Sequence, residues 1–413
     1  MNPLLQRLAP YPFERLRSLL AECSPAPGLS AIDLSIGEPR HATPALLKDA
    51  LAGALSSLAS YPKTAGSDEL RDAIAEWLKR RYRLQRLDAS TQVLPVCGSR
   101  EALFSFAQAA LDPRGDSIVI MPSPGYQIYE GAALVAGAEP LYLPVTEQGG
   151  YRMAFDRVSA GQWARVRLVY TCSPGNPTGY VMSLEEWRGL FERADRHDFV
   201  IASDECYSEI YPDESRPPLG ALQAAARLGR SGYERLVVFG SLSKRSNAPG
   251  LRSGFVAGDA RLLAGFLKYR TYHGSAMNPA VQAASIAAWN DEAHVIENRR
   301  RYATKFAEVT RQVAAVLPTR APDAGFYLWA RTPGGDDLQW TRRLYEWANL
   351  TVLPGSFLAR DVDGVNPGAG YVRIALVADE ASVREAARRI AALGTLPAAG
   401  LAAAPQAQPL ASK

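Results

Sequence analysis

A chain of 413 residues, 47% hydrophobic and 21% charged, is long enough to bury two cores and too mixed in composition for a fibrous or disordered protein. The formal charge of +4 is small for that length, and the basic residues are not gathered into the stripe that a nucleic-acid binder needs. No apolar run approaches the roughly 20 residues that span a bilayer, and Met1 to Arg7 lack the apolar core of a secretion signal, so a cytoplasmic protein is expected. Cys23, Cys97, Cys172 and Cys206 are far apart, as are the four histidines, so neither a metal site nor a disulfide framework is expected.

Along the chain, Leu16, Leu19 and Leu20 give a first helical apolar face. Leu34 to Pro39 reads as a short strand entering a Gly/Pro turn. From Ser67 to Tyr82 the spacing predicts an amphipathic helix. Ser67 is its N-cap, Asp68 and Glu69 suit the positive end of the dipole, and Leu70, Ile74, Trp77, Leu78 and Tyr82 share one face. Lys79, Arg80 and Arg81 close that helix and read as a solvated face. Short apolar strands then recur at Ser117–Met121, Val166–Thr171, Phe199–Ala202, Leu236–Phe239 and Gly254–Ala257, with helical segments such as Leu184–Asp195 between several of them. That alternation predicts an α/β fold with a mostly parallel central sheet between helices. After about residue 275 helices dominate as far as Leu317; Ala324–Trp329 and Tyr371–Leu376 read as strands of a smaller sheet, and Ser382–Leu393 as a helix. The expected division is an arm that contributes to the small domain (1–44), a large domain (45–290), a small α+β domain (291–395) and a disordered Ala/Pro/Gln-rich tail (396–413).

Ser241-Leu242-Ser243-Lys244 follows the strand Leu236–Phe239, and ligands bind at strand ends in open α/β sheets. Alone, a lysine there is an ordinary loop residue. Its company is more telling: Ser173-Pro174-Gly175-Asn176-Pro177-Thr178-Gly179 after one strand, Ser203-Asp204-Glu205-Cys206-Tyr207 at the end of the next, and Arg252 in Pro249-Gly250-Leu251-Arg252-Ser253-Gly254. As an ordered set these segments resemble the fold type I, class I/II aminotransferases, which use pyridoxal 5'-phosphate. The resemblance runs from about Ser35 to about Leu376.

It implies that Lys244 holds the cofactor as an imine and that Asp204 pairs with the protonated ring nitrogen. Asn176 and Tyr207 are implied donors to the phenolic oxygen, and Tyr126 an aromatic stacked on the ring. Gly98, Ser99 and Arg100 are implied to open a helix whose N–H groups cradle the phosphate, Arg100 through its backbone, with Ser241, Ser243 and Arg252 completing that site. Arg373 offers a planar fork for the substrate carboxylate, and Gly37 matches a turn that closes over the substrate. Tyr61 matches a tyrosine that reaches the neighbouring subunit's phosphate, which implies a homodimer with shared sites. Structural alternatives stay open: a core aromatic for Tyr126, an internal salt bridge for Arg373, a structural hydroxyl for Ser243 and a plain surface turn for Tyr61.

Three longer strings, Ser35–His41, Ser243–Gly250 and Tyr269–Pro279, resemble the proteobacterial N-succinyldiaminopimelate aminotransferases within that family. This implies transfer between N-succinyl-LL-2,6-diaminopimelate and 2-oxoglutarate, in lysine and meso-diaminopimelate synthesis. So anionic a donor calls for cations beyond Arg373, and Arg40, Arg245, Arg270 and His273 are the candidates. An aspartate or aromatic aminotransferase, or a C–S β-lyase, would share every cofactor residue. A non-catalytic ligand sensor would need a DNA-binding module, and the arm before Ser35 is too short for one.

Overall fold

The computed structural model describes residues 1–394; the tail expected to be disordered, 396–413, lies outside the described residues. Among them, no helix is long and apolar enough to cross a membrane.

The large sheet has seven strands: β1 (Val93–Val96), β2 (Ile118–Ser123), β3 (Glu139–Pro144), β4 (Val166–Cys172), β5 (Val200–Asp204), β6 (Leu236–Ser241) and β7 (Gly254–Gly258). Their spatial order is β1-β7-β6-β5-β4-β2-β3. All run parallel except β7, which is antiparallel to both its neighbours. Ile118, Val166, Leu168, Ile201, Leu236 and Val256 are fully buried, so each face of the sheet is covered, as continuous apolar strands require.

The helix Asp68–Tyr82 forms where the spacing places it, with the Ser67 hydroxyl accepting from the Leu70 N–H at 3.2 Å. Arg81 departs from the solvated face expected of its last turn. It turns inward, pairs with Glu209 at 2.8 Å and donates to the carbonyls of Ser208 and Pro218, because three buried acceptors outweigh exposure to water.

A second core gathers Ile32 and Leu34 with apolar residues from Phe306 to Leu393. Its sheet pairs Tyr327–Arg331, Tyr371–Ala375 and Leu353–Pro354 antiparallel. The N-terminal segment joins it through Ile32–Asp33, parallel to Leu350–Thr351. The strand expected over Leu34–Pro39 is thus Ile32–Asp33 instead. The Asp33 carboxylate accepts from both the N–H and the hydroxyl of Ser35, a local turn that ends the pairing and frees Gly37 to reach the central cavity.

Candidate active site

Sheet topology concentrates the chemistry on one edge. Gly98, Tyr126, Asn176, Asp204 and Ser241 end or follow β1, β2, β4, β5 and β6, which all point the same way. Because β7 runs backwards, Arg252, just before its start, reaches the same edge. There a cavity of about 550 Å³ is lined by Gly37, Ser99, Arg100, Tyr126, Asn176, Asp204, Tyr207, Ser241, Ser243, Lys244, Arg252 and Arg373. Twelve of the expected site residues therefore meet in one place, with Gly98 against Arg252 at its rim.

Lys244 sits in a four-residue helix, Leu242–Arg245, started by the Ser241 hydroxyl, which accepts from the Ser243 N–H at 3.1 Å. The Lys244 ammonium donates to the Gly37 carbonyl and lies 5.3 Å from the centre of the Phe326 ring. Burial is the main cause that brings its pKa down to about 8, with Arg373 adding to the effect and Cys206 opposing it. That places the amine close to the point where it works as a base at neutral pH.

Asp204 ends β5 at 3% exposure. The Tyr129 hydroxyl donates to Oδ2 at 2.7 Å and the Cys206 N–H to Oδ1 at 3.2 Å. Burial still raises its pKa, so the pocket holds a carboxylate that a buried cation would stabilise. Tyr129 is itself fixed by stacking on Tyr170 at 4.7 Å.

Arg373 is 4% exposed in its strand. Its Nη2 donates to the Ser35 carbonyl at 2.7 Å and its Nη1 to Asn176 Oδ1 at 3.1 Å, while the guanidinium lies 4.4 Å over the Tyr327 ring. None of those partners is a carboxylate, and Nε has no hydrogen-bond partner among the described residues. The internal salt bridge that sequence left open is absent among the described residues.

At the opposite side, Gly98 caps the helix Ser99–Ala110 with no side-chain cap, which leaves the first N–H groups to a ligand. Ser241 and Ser243 hydroxyls are 2.8 Å apart. The side chain of Arg100, expected to contribute only its backbone, donates to the Tyr126 hydroxyl at 2.7 Å and so fixes that ring. Tyr207 bonds the Tyr327 hydroxyl at 3.0 Å. Tyr61 is fully exposed and lies outside the cavity of its own chain.

Of the four candidate cations for a distal anion, none lines the cavity. Arg245 is buried between Trp77 and Trp289 and paired with Glu292; Arg270 Nη1 alone donates to both carboxylate oxygens of Glu101, at 2.8 and 2.9 Å. Both are consumed as structural charges, because a buried guanidinium must be paired. Arg40 and His273 face solvent. The cavity is lined in addition by Tyr11, Phe13, Glu38, Gln127 and Leu358. Sequence reasoning missed Tyr129, Tyr327 and these lining residues.

The chain matches the model of the family described as aminotransferase class I and II over residues 30–390. It is 32% identical over 394 residues to the LL-diaminopimelate aminotransferase of Maridesulfovibrio salexigens, covering 94% of this chain and 98% of that protein. Among solved structures, an aminotransferase from Neisseria meningitidis is 53% identical with a TM-score of 0.92, over 95% of this chain and 100% of the other. A probable N-succinyldiaminopimelate aminotransferase from Thermus thermophilus is 27% identical with a TM-score of 0.80, over 92% and 98%. A lysine, a buried acid and a guanidinium around one cavity, in a chain matched over almost its whole length, place this protein in the class I and II aminotransferases, the pyridoxal-phosphate-dependent transaminases of fold type I.

Proposed function

We propose that this chain moves the amino group of a diaminopimelate-type donor to 2-oxoglutarate, with N-succinyl-LL-2,6-diaminopimelate as the first donor to test. The observation that supports carboxylate-bearing donors is Arg373: buried, paired with no acid among the described residues and sharing a cavity with Lys244. The residues present fit pyridoxal phosphate, since the pocket offers a buried acid, uncapped helix N–H groups, two serine hydroxyls and Arg252. When bound, that group supplies an electron sink for the negative charge left at the donor Cα.

In this reading Asp204 holds the ring nitrogen protonated, and Tyr126 stacks on the ring. Tyr207 and the amide N–H of Asn176 donate to the phenolic oxygen; Asn176 Oδ1 is already engaged by Arg373, so its N–H side faces that task. Backbone at Gly98, Ser99 and Arg100, with Ser241, Ser243 and Arg252, holds the phosphate. Tyr61, exposed in one chain, reaches the second subunit's phosphate in a homodimer. Arg373 orients the donor carboxylate. Lys244 removes the Cα proton and, in the second half of a ping-pong cycle, returns one to Cα of the acceptor. Residues 291–395 with the 1–44 arm close over the large domain, 45–290, and exclude water.

A second reading is transfer from LL-diaminopimelate itself. Glu38 in the cavity lining favours a distal ammonium over a succinyl carboxylate, and the curated relatives at 32% identity carry that name. The test is a panel of donors against 2-oxoglutarate, reading glutamate: the two diaminopimelates, N-acetylornithine, aspartate and phenylalanine. Dominance of either diaminopimelate supports the class and picks the reading; dominance of aspartate or phenylalanine overturns it. Pyruvate and ammonia in place of glutamate would mark a lyase.

A further inference from the structure

One face of the helix Ala293–Val313 carries Asn298, Tyr302 and Lys305, spaced four and three apart and all buried. Asn298 donates through Nδ2 to the carbonyls of Lys244 at 3.3 Å and Arg245 at 3.5 Å. These are C-terminal carbonyls of a helix too short to satisfy them itself. Its Oδ1 accepts from Asn247 Nδ2 at 2.9 Å and from His41 Nδ1 at 2.8 Å.

That last contact fixes the tautomer of His41. Nδ1 must carry the proton, so Nε2 accepts, and it does so from Lys305 Nζ at 2.7 Å. The other two Lys305 donors go to the carbonyls of Leu376 and Ala378, just past the strand that carries Arg373. All three ammonium hydrogens are thereby used. Burial lowers the pKa of His41, which keeps the ring neutral as this arrangement needs.

The His41 segment also grips the lysine loop elsewhere: Gly37 O accepts from Lys244 Nζ, and Thr43 Oγ1 donates to Asn247 O at 2.7 Å. Residues 37–43 thus contact both the Lys244 amine and, at Asn247, the loop that follows it, while the Lys244 peptide itself is held by Asn298.

We infer that Asn298 and His41, anchored by Lys305, are positioning residues that fix the peptide of Lys244 relative to the Arg373 strand, so that the amine meets the Cα of a carboxylate-bound donor. The inference rests on the proposed roles of Lys244 and Arg373. None of the three positioning side chains lines the cavity, so they act through Lys244 and not on the substrate.

Imidazole geometry supplies the test. Asparagine places its amide nitrogen where histidine has Nδ1, and glutamine places its terminal oxygen near the Nε2 position. His41→Asn therefore keeps the bond to Asn298, and His41→Gln keeps only the bond to Lys305. Two readouts are compared for wild type, Asn298→Ala, His41→Gln and His41→Asn. One is the rate at which apoprotein and added pyridoxal phosphate form the Lys244-linked chromophore; the other is the split between kcat and KM. Asn298→Ala and His41→Gln should slow both chromophore formation and kcat by about 10- to 100-fold, the range that small misplacements cost, with KM for both substrates within about threefold. His41→Asn, which keeps the Asn298 bond and loses only the Lys305 anchor, should fall about threefold to tenfold, between wild type and His41→Gln in both chromophore formation and kcat.

Equal losses in His41→Asn and His41→Gln, or wild-type rates in Asn298→Ala, overturn the inference. If Asn298→Ala does not fold, the two His41 variants decide it. A wild type that forms no chromophore at Lys244 removes the functional reading instead, which is a distinguishable failure.

Discussion

Gly98 and Arg252 are fitted to each other: a Cβ on residue 98 would stand 2.3 Å from Arg252 Nη2. Gly98 also has φ +92, in the region that disfavours side chains. Gly98→Ala should therefore displace the guanidinium and strain the turn before the helix Ser99–Ala110. The expected outcome is a 10- to 100-fold weaker affinity for pyridoxal phosphate, about 1.4–2.7 kcal/mol, with unfolding of the apoprotein shifted far less. Fluorescence titration of apoprotein with the cofactor checks it; unchanged affinity would contradict the assigned phosphate site.

Lys244 gives a prediction about pH and stability. Its pKa is about 8 in the folded chain against an ordinary 10.5, which corresponds to a burden on the charged form of roughly 3 kcal/mol. The unfolded state binds more protons between those values, so this group makes stability rise with pH from about 8 to about 10.5. At pH 7 both states are charged and the burden is fully present. Lys244→Met apoprotein should accordingly be more stable than wild-type apoprotein at pH 7, by about 2–3 kcal/mol, and the gap should close toward pH 10. Urea unfolding at pH 7 and 9.5 measures it, and a constant gap would contradict the buried-ammonium account.

Arg373→Lys tests the forked recognition of a carboxylate. A lysine keeps the charge but loses the planar pair of donors and the face laid over Tyr327. We expect kcat/KM to fall about 100-fold, ~2.7 kcal/mol, mostly through KM, while cofactor affinity changes less than about threefold. A fall in cofactor affinity with unchanged KM would move Arg373 out of the substrate site.

Asp204→Asn keeps the shape and removes the charge. The amide oxygen can keep the bond from the Cys206 N–H while its NH2 donates to the Tyr129 hydroxyl, now 2.7 Å from Oδ2, so the pocket should hold together. On the proposed role, in which Asp204 would keep the ring nitrogen protonated, losing its charge should cost at least about 100-fold in kcat. Near-normal turnover in Asp204→Asn would contradict its assigned role.

Much of this site was legible because its residues sit at strand ends. Asn176, Asp204 and Lys244 each follow a continuous apolar run, and such runs predict both the sheet and its functional edge. Two strands of the large sheet escaped for physical reasons. β1 contains Pro95, which normally argues against a strand, and β3 is an edge strand with prolines at 140 and 144. Tyr129 and Tyr327 escaped because they sit in runs that read as core, and no spacing marks a phenol whose hydroxyl finds a partner 75 or 120 residues away. Arg245 and Arg270 misled in the opposite direction. Their motif context suggested a ligand, whereas Glu292 and Glu101 were waiting in the fold.

The central claim is a covalent bond between one amine and the cofactor aldehyde. Reducing the pyridoxal-phosphate-loaded protein with borohydride, digesting it and mapping the phosphopyridoxyl mass tests that bond directly. The account predicts a single labelled peptide modified at Lys244, with loss of turnover in step with labelling. A label on another lysine, or full turnover in Lys244→Ala, would contradict it.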